Sequence, residues 1–299
     1  MKLLVTGAWS GAQEHLDTLR QMGHEVIWMH DERGVLPCDR SEIEGVICNG
    51  LFVHHPMEQF SRLRYVQLTS AGFDRVPMEL ARERGITVHN AKGVYSIPMA
   101  EFALCGVLQL YKRSRFFWEN QAVGRWEKHR GLRELSGKTV CIIGTGSVGT
   151  ECAMRFEAFG CRVMGVNIRP RACAHFDQVF AFEQLNEVLA RSDVAVLAVP
   201  LTAQTRHLMD QSQLDSMKPG AILVNLARGA VVNTQALKEA LEKKLGGAVL
   251  DVFEQEPLER DSPLWNMQNV LVTPHNSFVS DGNQVRLCRV IMENLEQLK

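Results

Sequence analysis

Ten consecutive residues narrow the fold of this chain more than any others: Val140-Cys141-Ile142-Ile143-Gly144-Thr145-Gly146-Ser147-Val148-Gly149. An apolar run that reads as a β-strand passes directly into a Gly-x-Gly-x-x-Gly turn, and a helical stretch follows at once. Gly144 permits the tight turn, Gly146 lets the backbone approach a pyrophosphate, and Gly149 lets the helix pack on the strand. With Thr145, Ser147 and Val148 the segment forms a predicted phosphate cradle at the positive end of a helix. The spacing also occurs in plain tight turns; the strand-turn-helix frame is what favours dinucleotide binding. A weaker echo, Gly7-Ala8-Trp9-Ser10-Gly11, lacks the third spaced glycine and reads as a structural turn.

The next strand decides which dinucleotide. An NAD site usually ends it with a carboxylate, about 20 residues beyond the glycines, that accepts from the ribose 2′-hydroxyl. Here the strand ends Val166-Asn167-Ile168-Arg169-Pro170-Arg171. With Asn167 in the acidic position and Arg169 and Arg171 following, a 2′-phosphate meets no repulsion and two guanidinium groups, so NADP(H) is favoured over NAD(H). The alternative is two solvated surface arginines.

Alternation of short apolar strands and helices extends on both sides of this motif. Strands are predicted at residues 2–5, 25–29, 45–48, 65–68 and 86–88, with helices at 12–22 and 77–83. A long apolar helix spans 96–111. The second series has strands at 139–143, 162–166, 194–199, 222–225, 248–252 and 270–273. Its helices fall near 151–159 and at 182–190 and 234–243, and a last helix covers 284–298. Repeated β-α-β units imply parallel sheets covered on both faces. The expected class is α/β, with two doubly wound parallel-sheet domains: a flavodoxin-like substrate domain at 1–95, completed by the C-terminal helix at 279–299, and a Rossmann cofactor domain at 96–278. The active site is expected in the cleft between them. A chain of 299 residues is long enough for two such cores.

Composition limits the partners. With 33 Lys plus Arg against 34 Asp plus Glu and a net charge of −1, no whole-molecule field favours nucleic acid or anionic membrane. No apolar run approaches the ~20 residues of a membrane span and no signal-peptide pattern opens the chain, so a cytoplasmic protein is expected. The eight cysteines form no C-x-x-C pair and read as free thiols rather than disulfides or a metal site. The stretch 112–133 mixes Phe116, Phe117, Trp118 and Trp126 with basic residues. That suits either an arm on a partner subunit, giving a homodimer, or a surface loop with a few buried rings.

Three segments at the C-terminal ends of predicted strands carry polar groups: Asn225-Leu226-Ala227-Arg228-Gly229, Asp251-Val252-Phe253-Glu254-Gln255-Glu256-Pro257 and Thr273-Pro274-His275. Ligands of open α/β sheets bind beyond those ends. Reducing a 2-oxo acid needs a cation for the carboxylate and a proton donor for the developing alkoxide, which Arg228 and a protonated His275 supply, with a carboxylate to orient the imidazole. Singly, each has a blander reading: a helix-end cation, a loop carboxylate, a strand-end histidine.

Together with the glycine turn, these segments resemble the D-isomer-specific 2-hydroxyacid dehydrogenase family. The likeness also takes in Pro200-Leu201-Thr202 with Thr205, Met217-Lys218-Pro219-Gly220, Ala100-Glu101 and Ser70-Ala71-Gly72-Phe73-Asp74, and so runs from about residue 65 to 275. The resemblance implies that Arg228 binds the substrate carboxylate and carbonyl, that His275 is the acid/base, and that Glu256 pairs with it. It further implies that Asp251 holds the nicotinamide carboxamide, that Pro200, Thr205 and Ala227 contribute to the cofactor site, and that the Ala71 and Gly72 amides hold the substrate carboxylate. Formate dehydrogenases of the superfamily carry Gln where Glu256 stands, so Glu256 argues for hydroxy-acid chemistry. The implied partner is a small 2-oxo or 2-hydroxy acid, and no metal is required.

The run Asn276-Ser277-Phe278-Val279-Ser280 departs from the family's glycine-rich pattern. The end at Lys299 implies a short or missing tail onto the first domain. Asn49 to His55 could line the substrate side, although a loop surface suits the His54-His55 pair better than a metal site. Phosphorylated substrates would need an extra cationic pocket that the sequence does not locate. The rival from another class is a dinucleotide-sensing protein, as the family's corepressors resemble.

Overall fold

Most strands are buried at nearly every position, while successive side chains alternate between opposite faces of the sheet. In a computed structural model, which describes residues 1–298, that alternation places core on both faces of each of two parallel sheets.

The first unit comprises residues 1–95 and 280–298. Its strands β1 (Lys2–Thr6), β2 (Glu25–Met29), β3 (Gly45–Cys48), β4 (Tyr65–Leu68) and β5 (Thr87–His89) pair in the order β2-β1-β3-β4-β5, all parallel. Leu4, Val46, Cys48, Val66 and Leu68 face one core with Leu51 of α2 (Leu51–His54) and Ala81 of α3 (Met78–Glu83). Leu3, Val5, Ile47 and Tyr65 face the other core, with Leu19 of α1 (Leu16–Gln21). The expected helix over 12–22 is interrupted: Ala12–His15 is a 3-10 turn before α1. Gly11 enters it in the left-handed region, at φ 81°.

The second unit comprises residues 96–279. It holds α4 (Ser96–Tyr111), α5 (Ser114–Ala122), β6 (Thr139–Ile143), α6 (Ser147–Ala158), β7 (Arg162–Asn167), β8 (Gln178–Ala181), α7 (Leu185–Arg191), β9 (Val194–Leu197), α8 (Gln211–Ser216), β10 (Ile222–Asn225), α9 (Thr234–Lys243), β11 (Gly247–Leu250) and β12 (Val270–Val272). The sheet order β12-β11-β10-β9-β6-β7-β8 reverses between β6 and β9, the switch point of a Rossmann sheet. Val140, Ile142, Val163, Val196 and Val224 pack under α4 and α6, while Cys141, Ile143, Met164, Leu197 and Leu223 pack under α7, α8 and α9. On α4, Gly106 has no room for a side chain, since a Cβ there would stand 2.6 Å from Cγ1 of Val249.

The helix α10 (Asn283–Glu296) belongs to the first unit, where Leu287, Ile291 and Leu295 enter the core beside Leu3, Val5 and Trp9. Asn294 donates to the buried Gln67 at 2.9 Å, and Arg286 donates to Val94 O at 2.8 Å.

Four elements were not foreseen, the first being the single-turn helix α2 in a stretch that reads as loop. The strand β8 lies at a sheet edge and pairs only with β7. The helix α8 falls in a polar stretch without apolar periodicity. Within the supposed arm, α5 occupies part of what reads as irregular chain. Conversely α6 begins at Ser147, four residues before the apolar face that marks it in the sequence.

Candidate active site

The glycine turn follows β6 at the switch point, and its three glycines are bare for different reasons. A Cβ on Gly144, at φ 102°, would fall 2.4 Å from Ala198 O, and one on Gly149 would fall 2.0 Å from Gly144 O. Both are therefore required by the protein's own packing. A Cβ on Gly146 would meet nothing within 4 Å. Gly146 is the N-cap of α6, and no side chain caps that end. Open space beside a glycine, at an uncapped helix N-terminus, fits a phosphate group.

Around this turn, Asn167 at the end of β7 donates through Nδ2 to Thr145 Oγ1 at 2.5 Å. Arg169 and Arg171 follow on exposed chain, with no hydrogen bond or ion pair among the described residues. On the far side, Thr205 is buried, its hydroxyl donating to Pro200 O at 2.6 Å and accepting from Thr202 N at 2.7 Å. It shapes the loop rather than presenting a free hydroxyl.

Beyond β10, the buried Asn225 clamps its own turn: Oδ1 accepts from Ala227 N at 3.2 Å and Nδ2 donates to Arg228 O at 3.0 Å. Arg228 is half-buried and donates through Nη1 to Ala227 O at 2.8 Å. Gly229 then passes so close to the loop after β11 that a Cβ on it would lie 1.8 Å from the carbonyl carbon of Phe253. No side chain fits between these loops, so the arginine turn rests directly on the backbone of the segment that carries Glu256.

Glu256 links that loop to the one after β12. Its Oε2 lies 2.9 Å from His275 Nδ1 and its Oε1 accepts from Phe253 N at 3.0 Å. Both side chains are roughly two-fifths exposed, His275 at 41% and Glu256 at 38%. With Nδ1 facing a carboxylate, Nδ1 carries the hydrogen that points to it and Nε2 is left for exchange with a substrate. His275 sits at φ 50°, a left-handed conformation held by its N–H on Asp251 O at 2.7 Å. The Phe278 ring stands edge-on to the imidazole, with centroids 6.0 Å apart.

Asp251, which the resemblance assigns to the nicotinamide carboxamide, lies at the base of the same loop. Its side chain is wholly buried, and its carboxylate accepts from Thr273 Oγ1 at 2.6 Å, Asn276 N at 2.8 Å and Ser277 N at 2.9 Å. It anchors the turn that presents His275. A second histidine-carboxylate pair holds the same loop from outside: His207 Nε2 is 2.6 Å from Glu254 Oε1, and Glu254 Oε2 accepts from Thr234 N at 2.9 Å. Burial pushes the Glu254 carboxyl up, but its bonds from Thr234 and His207 outweigh that and hold it below the usual carboxylate range.

The site thus joins Arg228, Glu256 and His275 through three adjacent loops of the second unit, with the glycine turn on the same sheet. Asn225, Gly229, Thr273 and the His207–Glu254 pair escaped the sequence reading as supporting residues. Only the Arg-Gly pair hinted at one of them. In the first unit, Ala71 O accepts from Asn90 Nδ2 at 2.6 Å and Gly72 O from Ser70 Oγ at 3.1 Å. The N–H groups of Ala71 and Gly72 donate to nothing among the described residues.

A model of the NAD-binding domain of D-isomer specific 2-hydroxyacid dehydrogenases matches residues 104–277. D-3-phosphoglycerate dehydrogenase of Methanocaldococcus jannaschii is 35% identical over 81% of this chain, which spans 47% of that protein's length. Glyoxylate reductase of Thermococcus gammatolerans is 36% identical over 80% of this chain and 74% of its own. Among solved structures, a D-isomer specific 2-hydroxyacid dehydrogenase from Xanthobacter autotrophicus Py2, in complex with NADPH and MES, superposes with a TM-score of 0.78 at 30% identity, covering 97% of this chain and 92% of that one.

Proposed function

The chain belongs to the D-isomer-specific 2-hydroxyacid dehydrogenase family, and from that premise we propose that it interconverts a small 2-oxo acid and the (R)-2-hydroxy acid, using NADPH as reductant. The observation that carries the reading is the 2.9 Å pairing of Glu256 with His275 on a loop in backbone contact with that of Arg228.

The cofactor is a nicotinamide dinucleotide. When bound, it supplies the hydride, from nicotinamide C4 to the substrate's carbonyl carbon. Gly144, Thr145, Gly146, Ser147, Val148 and Gly149 hold its pyrophosphate, and Pro200, Thr205 and Ala227 shape the rest of its bed. The preference for the 2′-phosphorylated form rests on Asn167, Arg169 and Arg171, where a carboxylate would repel the phosphate and unpartnered guanidinium groups attract it.

His275 delivers the proton from Nε2 to the carbonyl oxygen as the carbon–oxygen double bond opens, so hydride and proton together make the alcohol. Glu256 stabilises the charged imidazolium and fixes the ring. Arg228 holds the substrate carboxylate and polarises the carbonyl, and the free amides of Ala71 and Gly72 supply further donors to the carboxylate. Asp251 is a positioning residue that sets the His275 turn. The first unit is accordingly the substrate domain and the second the cofactor domain.

The arm supports a homodimer. Trp126, Val123 and Trp118 are 97%, 69% and 58% exposed on the segment that begins with α5, large apolar side chains that a second copy would cover.

The test is a steady-state scan of glyoxylate, hydroxypyruvate, pyruvate and phenylpyruvate with NADPH and with NADH, with the product resolved on a chiral column. Turnover to the (R)-alcohol is expected. Tight NADPH binding without turnover of any 2-oxo acid would point instead to a dinucleotide-sensing protein.

A further inference from the structure

A cavity of about 600 Å³ opens on the first unit, lined by Gly7 and Ala8 after β1, His30, Asp31, Glu32 and Arg33 after β2, Gly50, Val53 and His54 after β3, and Arg75 after β4. It stands at the C-terminal ends of the strands, where the order β2-β1-β3-β4-β5 reverses between β1 and β3. That is the place where doubly wound sheets bind ligands, and the volume is that of a small-molecule site.

Its charges are not equally committed. Arg33 is tied to Asp31, with Nη2 on Oδ2 at 2.7 Å and Nε on Oδ1 at 3.0 Å. The Glu32 carboxylate is saturated by its own strand ends, accepting from Thr6 Oγ1 and Asn49 N at 2.7 Å each and from Gly50 N at 2.6 Å. Arg75 has no hydrogen bond or ion pair among the described residues. An exposed guanidinium over a bare glycine, with the imidazoles of His30 and His54 on the same wall, presents a fork of donors suited to a carboxylate or phosphate.

Arg75 is also three residues beyond Gly72, at most about 11 Å of chain, and Thr69 N donates to Cys48 O at 2.9 Å, fastening the loop after β4 to the one after β3. We propose that this cavity receives a second anionic group, at the far end of the substrate, so that the preferred 2-oxo acids are those carrying a terminal carboxylate or phosphate. This rests on the assignment of Ala71 and Gly72 to the substrate's first carboxylate.

The experiment compares kcat/KM with NADPH for two matched pairs, 2-oxopentanoate against 2-oxoglutarate and hydroxypyruvate against 3-phosphohydroxypyruvate. The wild type should favour the doubly anionic member of at least one pair by tenfold or more, and which pair responds identifies carboxylate or phosphate. Arg75→Gln should abolish that ratio and Arg75→Lys should restore part of it. A wild type that prefers the singly charged member of both pairs overturns the proposal, as does an Arg75→Gln variant that slows both members of a pair equally. If no 2-oxo acid turns over, the reaction assigned above fails, and the cavity is tested by calorimetry of the NADPH-loaded protein with inorganic phosphate and with glutarate. Binding that Arg75→Gln removes sustains the cavity's role, and absence of binding refutes it.

Discussion

The carboxylate of Glu256 holds His275 with one oxygen and its own loop with the other: Oε2 stands 2.9 Å from Nδ1 of the imidazole while Oε1 receives the Phe253 N–H. A single side chain thereby orients the acid and stiffens the platform under Arg228. Replacing His275 with Ala should lower kcat at least about 10²-fold, the usual scale of general acid catalysis. Glu256→Gln should also lower kcat, since the neutral amide gives the imidazolium no counter-charge. Both variants should bind NADPH with a Kd near that of the wild type by fluorescence titration. A Glu256→Gln enzyme with undiminished kcat would remove this carboxylate from the mechanism.

The three glycines of the turn should separate by phenotype. Gly146→Ala meets no protein atom within 4 Å, so its melting temperature should match the wild type while NADPH affinity drops tenfold or more. Gly149→Ala would press on Gly144 O at 2.0 Å and should cost about 1–3 kcal/mol of stability, as overpacking does. Thermal melts paired with cofactor titrations read both quantities.

Asn167→Asp would place a carboxylate where the 2′-phosphate is expected. NADPH binding should weaken by about 1–3 kcal/mol, with NADH affected far less. The reading of the cofactor is wrong if the unaltered enzyme already has the higher kcat/KM with NADH.

Glu254 should make the cofactor domain sensitive to acid. Its carboxyl is held below the usual range in the folded protein, so its contribution is complete above the unfolded value and disappears as pH falls through the folded one. Glu254→Gln should therefore unfold in urea with a deficit of about 1 kcal/mol at pH 7, and the deficit should shrink as pH falls below the usual carboxylate range. An equal deficit throughout that fall in pH would mean that the carboxylate's charge contributes nothing.

The arm predicts a dimer by light scattering at micromolar concentration, weakened by Trp126→Ala or Trp118→Ala. Removing a large exposed ring from a true interface commonly costs 2 kcal/mol or more, about thirtyfold in Kd. A monomeric wild type would leave those rings without that explanation.

The parts legible in the sequence were those with a local signature. The glycine turn, the two series of strands and the order of Arg228, Glu256 and His275 each depend on residues near one another in the chain. What escaped depends on approach between distant segments. Nothing in Gly229 announces that Phe253 will pass within bonding distance of any side chain placed there. Asp251 reads as a polar group available to a ligand, because its three donors, at Thr273, Asn276 and Ser277, lie more than 20 residues away. The edge strand β8 has only four residues and one neighbour, too little for alternation to register.

Since α10 supplies Leu287, Ile291 and Leu295 to the core formed by Leu3 and Val5, the unit synthesised first is the last whose interior can close. On a ribosome adding about 5–20 residues per second, roughly 10–40 s pass between the emergence of β5 and that of α10. Throughout that interval one face of the first sheet has α1 but not α10 to cover it, while the entire second unit is made and free to fold. The nascent amino-terminal segment is accordingly the stretch that chaperones would meet, and truncation within α10 should harm the beginning of the protein before its middle.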